Sequence, residues 1–158
     1  MEVTKQDLID SHNRIKPFIH DTPVLTSNYV NEITGAEVYF KCENFQKMGA
    51  FKMRGAANAI LRLTDEQKNN GVVTHSSGNH AQAISLAAKK IGIKAYIVMP
   101  SNAPKIKKEA VKGYGGELIE CESNLEARES AAKNLVDSKN ATFIHPSNNL
   151  DVIIGQGT

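Results

Sequence analysis

The sequence predicts an α/β fold: an open parallel sheet with helices on both faces. Three observations carry this. From Gly71 onward, short apolar runs alternate with helix-length amphipathic segments, the pattern of β-α-β units with right-handed crossovers. Glycine or proline stands at the joints, at Gly71, Gly92, Pro100, Pro104, Gly113 and Pro146. The chain has 158 residues, 41% hydrophobic and 23% charged, which is enough to bury a real core.

The elements follow in order. Thr4-Lys-Gln-Asp7 fits a capping box that opens a helix at Leu8 and Ile9. Pro17 and Pro23 interrupt what comes next. Glu37 to Glu43 alternates polar residues with Val38, Phe40 and Cys42 and predicts a strand. Asn44 to Gly49 reads as a loop. A helix is expected from near Phe51 through Ala56, Ala57, Ile60 and Leu61 to about Leu63. Thr64-Asp-Glu-Gln67 repeats the capping-box pattern for a short helix that Gly71 ends.

Val72 to His75 is the next strand. Asn79 to Lys90 is a helix with Ile84, Ala87, Ala88 and Ile91 at helical spacing and Gly92 as its stop. Ala95 to Met99 is a strand closed by Pro100, and Pro104 to Tyr114 a helix with proline near its first turn. Glu117 to Cys121 is a strand. Ser123-Asn-Leu-Glu126 caps a helix to about Asp137, and Ala141 to His145 is a strand closed by Pro146. The sequence then runs through Val152-Ile-Ile154 into Gly155-Gln-Gly-Thr158 with no closing element. A chain that ends this way reads as cut short; the alternative is a frayed terminus.

Composition excludes several classes. With 19 Lys and Arg against 17 Asp and Glu, net charge +2, the chain is too balanced for a dedicated nucleic-acid binder. No apolar run approaches the length of a membrane span, and no basic segment followed by an apolar run opens the chain, so neither membrane insertion nor secretion is expected. Cys42 and Cys121 lack CxxC spacing and read as reduced thiols of a cytoplasmic protein.

Two motifs carry chemistry. Thr74-His-Ser-Ser-Gly-Asn-His-Ala-Gln-Ala83 joins a strand end to a helix start. Ligands of open α/β sheets bind outside the carboxyl ends of the strands. A helix N-terminus offers free N–H groups and the positive end of a dipole to a carboxylate or phosphate. Ser76, Ser77 and Asn79 add side-chain donors; the plainer alternative is a serine or asparagine cap. In Gly49-Ala-Phe-Lys-Met-Arg-Gly55, Lys52 sits just inside a helix start between Phe51 and Met53. Apolar surroundings lower a lysine pKa, as an amine that attacks carbonyls requires; the alternative is a lysine that snorkels to water. His75 and His80 lack a third ligand at metal spacing, so no metal site is expected within the chain. Arg128 falls near an apolar stripe, where an arginine usually has a partner.

Together these motifs resemble the fold-type II enzymes that use pyridoxal 5'-phosphate, in the branch of serine racemases and serine/threonine dehydratases. The matching strings are His20-Asp-Thr-Pro-Val-Leu-Thr26, Lys41-Cys-Glu43, Phe45-Gln-Lys47, Gly49 to Ala56, Thr74 to Gln82 and Ile154 to Thr158, nearly the whole chain in the family's order. One departure is Ala50, where the family often has serine. The resemblance implies a tryptophan synthase β-like architecture. Residues 1–70 would begin the large cofactor domain, 71–148 form the small βαβ domain, and 149–158 start the return to the large one.

The resemblance also implies roles. Lys52 binds the cofactor covalently and moves the α-proton on one face. Phe51 flanks the pyridine ring, and Asn79 bonds its hydroxyl. Ser76, Asn79 and His80 surround the substrate carboxylate, with Arg128 as a pairing cation. Ser77 is the acid/base on the opposite face. Ser27, Lys47, Gln82 and Tyr114 stand at positions similar to the racemase's nucleotide contacts. The expected cofactor is therefore pyridoxal 5'-phosphate, with Mg2+ and ATP in the full-length protein. The expected partners are a small amino-acid substrate and a second copy of the full-length chain. Serine would be racemised, or dehydrated to an oxo acid and ammonia. The alternatives are another branch such as threonine synthase, against which the His80 loop speaks, and a catalytically silent truncated product that binds ligand or full-length subunits.

Overall fold

The computed structural model describes residues 2–158 and begins with the helix that the Thr4 box predicts, α1 (Lys5–Ile15). Thr4 Oγ1 accepts the Asp7 amide, and the Asp7 carboxylate accepts the Thr4 amide at 2.9 Å. The strand expected over 37–43 is only β2 (Tyr39–Lys41), paired antiparallel with β1 (Val24–Thr26). Between them lies α2 (Asn28–Thr34), capped by Ser27. Neither β1 nor α2 was anticipated. Both strands are exposed along their length, and Phe40 is 43% exposed rather than buried. A two-stranded ribbon has too little surface of its own to sequester a strand face.

The Asn44–Gly49 loop winds into two 3-10 turns, Glu43–Phe45 and Lys47–Gly49, with Met48 at φ 56°. Then come α3 (Lys52–Leu61) and α4 (Asp65–Asn70), the latter opened by the Thr64–Gln67 capping box.

The remaining elements alternate as expected: β3 (Val72–His75), α5 (Asn79–Ile91), β4 (Ala95–Pro100), α6 (Lys105–Gly113), β5 (Glu117–Cys121), α7 (Leu125–Lys139) and β6 (Thr142–Phe143). The four strands form one parallel sheet in the order β5-β4-β3-β6. β6 is shorter than the expected 141–145, because its ladder ends before His145 and Pro146 turn the chain away. The cap of α7 is Asn124, one residue later than the expected Ser123. Val152–Ile154 belongs to a helix, α8 (Leu150–Gln156), capped by Asn149, where no element was predicted.

Alternation along the strands divides the side chains between two faces. Val72, Ile97 and Met99 join the α5 helix in the larger core, together with Met53, Ala56 and Ile60 of α3. Val73, Tyr96 and Val98 face α7 and pack against Ala132. α3 therefore lies on the α5 side of the sheet. It is also held by α8, where the two helices meet at glycines. A Cβ on Gly155 would lie 2.7 Å from the Arg54 carbonyl oxygen and 2.8 Å from Gly55 Cα. This close crossing fixes the helix that carries Lys52. Among the described residues no helix is long and apolar enough to cross a membrane.

Candidate active site

Lys52 is the first residue of α3. Its Nζ donates to the Pro146 carbonyl at 3.1 Å and lies 5.2 Å from the centroid of the Phe51 ring. Partial burial pushes the Lys52 amine below its ordinary pKa, the direction a nucleophilic amine needs. Phe51 precedes the helix without a side-chain cap and is 44% exposed.

The start of α3 is anchored from below. Arg54, 3% exposed, gives the Glu43 carboxylate two bonds, Nε at 2.9 Å and Nη2 at 2.7 Å. Thr22 Oγ1 donates to the same carboxylate at 2.6 Å. Burial raises the Glu43 carboxyl pKa, but the bonds from Arg54 and Thr22 outweigh it and hold the group below its ordinary value. Sequence reasoning assigned Glu43 and Arg54 no role; their membership of the motif strings was the only signal.

The second motif leaves β3 at its carboxyl end. The Ser76 amide donates to Val98 of the neighbouring strand at 3.1 Å, and Ser76 Oγ accepts the Gly78 amide at 3.2 Å. Gly78 is the N-cap of α5 and no side chain caps the helix. The serine or asparagine cap, the plainer alternative, is therefore not formed, and the first turn of α5 keeps its N–H groups free for a ligand. Ser77 is half-buried and Asn79 exposed at this turn.

His80 is 3% exposed, and its Nε2 lies 3.4 Å from the Ile144 carbonyl. That contact places the proton on Nε2 and leaves Nδ1 a buried acceptor without a partner. Burial brings its pKa down to about 4, so the ring is neutral near pH 7. Thr74 Oγ1 is also buried and unpaired, on the α5 face by strand alternation. Lys52 and His80 thus converge on one short segment, taking the carbonyls of Pro146 and Ile144.

Other expected residues stand apart. Arg128 is on α7, across the sheet; its Nε donates to Asn124 of its own helix at 3.3 Å, and its charge acts on His75. No carboxylate of this chain pairs with it among the described residues. Ser27 caps α2, Lys47 sits in a 3-10 turn, Gln82 is buried on α5 and Tyr114 ends α6. No hydrogen bond or ion pair joins these four among the described residues. A cavity of about 460 Å³ lies on the α7 side, lined by His75, Phe143, His145, Ala132 and Val136 and not by Lys52. No cluster of three metal-ligating side chains occurs among the described residues.

Residues 15–158 match the family described as pyridoxal-phosphate dependent enzyme, and the chain belongs to it. The features above fit that cofactor: a desolvated amine for its aldehyde, an uncapped helix start for negative charge, and orphaned buried acceptors and hydroxyls nearby.

Among its relatives, the chain is 53% identical over 156 residues to serine racemase of Dictyostelium discoideum, covering 99% of this chain and 48% of that protein. It is 48% identical to L-threo-3-hydroxyaspartate ammonia-lyase of Saccharomyces cerevisiae, with 98% and 48% covered. The crystal structure of the Dictyostelium racemase superposes with a TM-score of 0.94 over 98% of this chain and 50% of that one. The T.th. threonine deaminase gives 0.89 at 38% identity, over 99% and 49%. The chain spans about half the length of the curated relatives it matches.

Proposed function

We propose that the protein acts on small 3-hydroxy amino acids of the serine and threonine class, racemising serine, dehydrating it to a 2-oxo acid and ammonia, or both. The observation that carries this reading is the convergence of Lys52 and His80 on the 144–146 segment, at the carboxyl end of β3. The relatives named serine racemase and hydroxyaspartate ammonia-lyase support the substrate class. From the motif strings alone we propose further a homodimeric cytoplasmic enzyme that also takes Mg2+ and ATP.

Pyridoxal phosphate, when bound, acts as an electron sink that stabilises negative charge on the substrate α-carbon. The protein supplies placement and protons. Lys52 Nζ would hold the cofactor aldehyde, and its amine is the group placed to take or return the α-proton on its own face. Ser77 Oγ holds the proton for the opposite face. The free N–H groups at the start of α5, with Ser76 Oγ, bind the substrate carboxylate; Arg128, across the sheet on α7, stands away from them. Asn79 orients the cofactor ring. His80, neutral near pH 7, adds no charge that would compete with Lys52, and its unpaired Nδ1 accepts a donor from the ligand. Inversion requires both faces, whereas elimination from L-serine starts on the Lys52 face alone.

The test is to follow D-serine and oxo acid together when the purified protein is given pyridoxal phosphate and L-serine. Formation of either product, abolished by Lys52→Ala, supports the reading. A protein that binds the cofactor at Lys52 yet forms neither product, and consumes other amino acids instead, overturns the substrate class.

A further inference from the structure

The segment that receives Lys52 is itself held by an unusual bond pattern. His145 Nδ1 accepts the backbone N–H of Asn148 at 2.8 Å and of Ser147 at 3.1 Å. Between them and β6 lies Pro146, which has no N–H with which to tie down its own turn. Among the described residues, the Pro146 carbonyl accepts from Lys52 Nζ at 3.1 Å, while the two amides that follow it are held by the His145 ring.

Two N–H groups on Nδ1 require a lone pair there, so a neutral His145 carries its proton on Nε2. The ring is steadied by edge-on contacts with His75, at 5.8 Å between centroids, and Phe143, at 6.0 Å, both at 82°. The charged groups facing it across the adjoining cavity, all from α7, are Glu129, Lys133 and Asp137. None is hydrogen-bonded to the ring.

We propose that His145 is a positioning residue for Lys52: its Nδ1 gathers the amides after Pro146 and so presents the Pro146 carbonyl to the lysine amine. This deepens the reading of Lys52 as the cofactor lysine and rests on it. A free amine held by one carbonyl is kept at a defined place at the helix start, ready to meet the cofactor aldehyde or to receive a proton from substrate. Without the His145 acceptor the 146–148 turn loses two bonds at once, and the carbonyl is no longer directed at Lys52. His145 needs no contact with ligand to do this.

The experiment compares His145→Asn, His145→Gln and His145→Ala in the cofactor-free protein. Asn places a carbonyl oxygen where Nδ1 stands and caps local amides readily. Gln puts its carbonyl one bond further out, nearer the Nε2 position, and Ala removes the acceptor. Two readouts are used: trace acetylation of Lys52 quantified by mass spectrometry, and the rate at which added pyridoxal phosphate develops its protein-bound absorption. Asn should keep both near wild type. Gln and Ala should raise Lys52 acetylation by about fivefold, the factor that loss of one net hydrogen bond sets at room temperature, and slow cofactor uptake.

Nitrogen NMR of the wild-type ring should show a bare Nδ1 and a protonated Nε2, which needs no variant to fold. The opposite tautomer, or Lys52 acetylation that is the same in all three variants, or Asn behaving like Ala, would overturn the proposal. If Lys52 is not the cofactor lysine, uptake at Lys52 fails already in the wild type, while acetylation and the ring signals still decide what His145 does.

Discussion

Acidification should destabilise this fold through His80, by an amount the burial of its ring sets. The imidazole is 3% exposed, with one ring nitrogen on the Ile144 carbonyl and the other unpaired, and burial takes its pKa from 6.5 to about 4. A base with a depressed folded pKa contributes stability that is present above the unfolded value. That stability is lost as pH falls from 6.5 and is gone once pH drops below about 4. At pH 5 the unfolded ring is almost wholly protonated and the folded ring almost wholly neutral. The difference amounts to about 2 kcal/mol relative to pH 8, approaching about 3 kcal/mol below pH 4.

His75 acts in the same direction, since burial, helped by the charges of His145 and Arg128, lowers its pKa too. The contribution of His80 is therefore isolated by difference. Urea unfolding at pH 8 and pH 5 is measured for the wild type and for His80→Gln. The wild type should lose about 2 kcal/mol more than the variant over that interval. The same pH dependence in both proteins would refute the reasoning, because the depressed pKa would then not belong to a ring buried in the native state.

Further outcomes follow from other contacts. Gly155→Ala places a methyl against the Arg54 carbonyl, Asn58 Cβ and Gly55 Cα, none of which can swing aside. Thermal unfolding should show a loss of about 1–3 kcal/mol. Glu43→Ala leaves the Arg54 guanidinium buried without its carboxylate; denaturant titration should report a loss of about 3 kcal/mol. Ser77→Ala should lower racemisation by roughly 10²–10⁴ while sparing L-serine elimination, read in one preparation with the cofactor absorption intact. Equal loss of both reactions would make Ser77 a structural residue of the loop.

The β3–α7 half was legible because glycine or proline marks several of its joints, at Gly71, Gly92, Pro100 and Gly113, and α5 shows an apolar stripe at Ile84, Ala87, Ala88 and Ile91. The elements that escaped are short or are made by tertiary contact. Val24–Thr26 has three residues and no buried face to impose alternation. Val152–Ile154, read in isolation, is an apolar triplet before glycines; it is helical where Gly155 lets α8 approach α3.

The same division holds at the site. Lys52 and the Ser76–His80 loop were singled out by residue type at a helix start and a strand end, but their roles came from the resemblance of the motif strings and not from local chemistry alone. The bonds that hold them are long-range, Lys52 to Pro146 and His80 to Ile144. No local pattern encodes such pairs. The bonds that His145 Nδ1 accepts from the amides of Ser147 and Asn148 were not foreseen either. His145 was read as the last residue of a strand, whereas β6 ends at Phe143 and His145 lies in the turn that follows.

The measurement that bears most directly on the account is the identity of the lysine that takes up the cofactor. The purified protein is equilibrated with pyridoxal phosphate, reduced with borohydride, digested and mapped by mass spectrometry. The account predicts a single predominant modification at Lys52, the amine that burial, the Phe51 ring and the Pro146 carbonyl set apart from the lysines on the surface. Modification spread over surface lysines such as Lys105 and Lys112, with Lys52 unmodified, would contradict it.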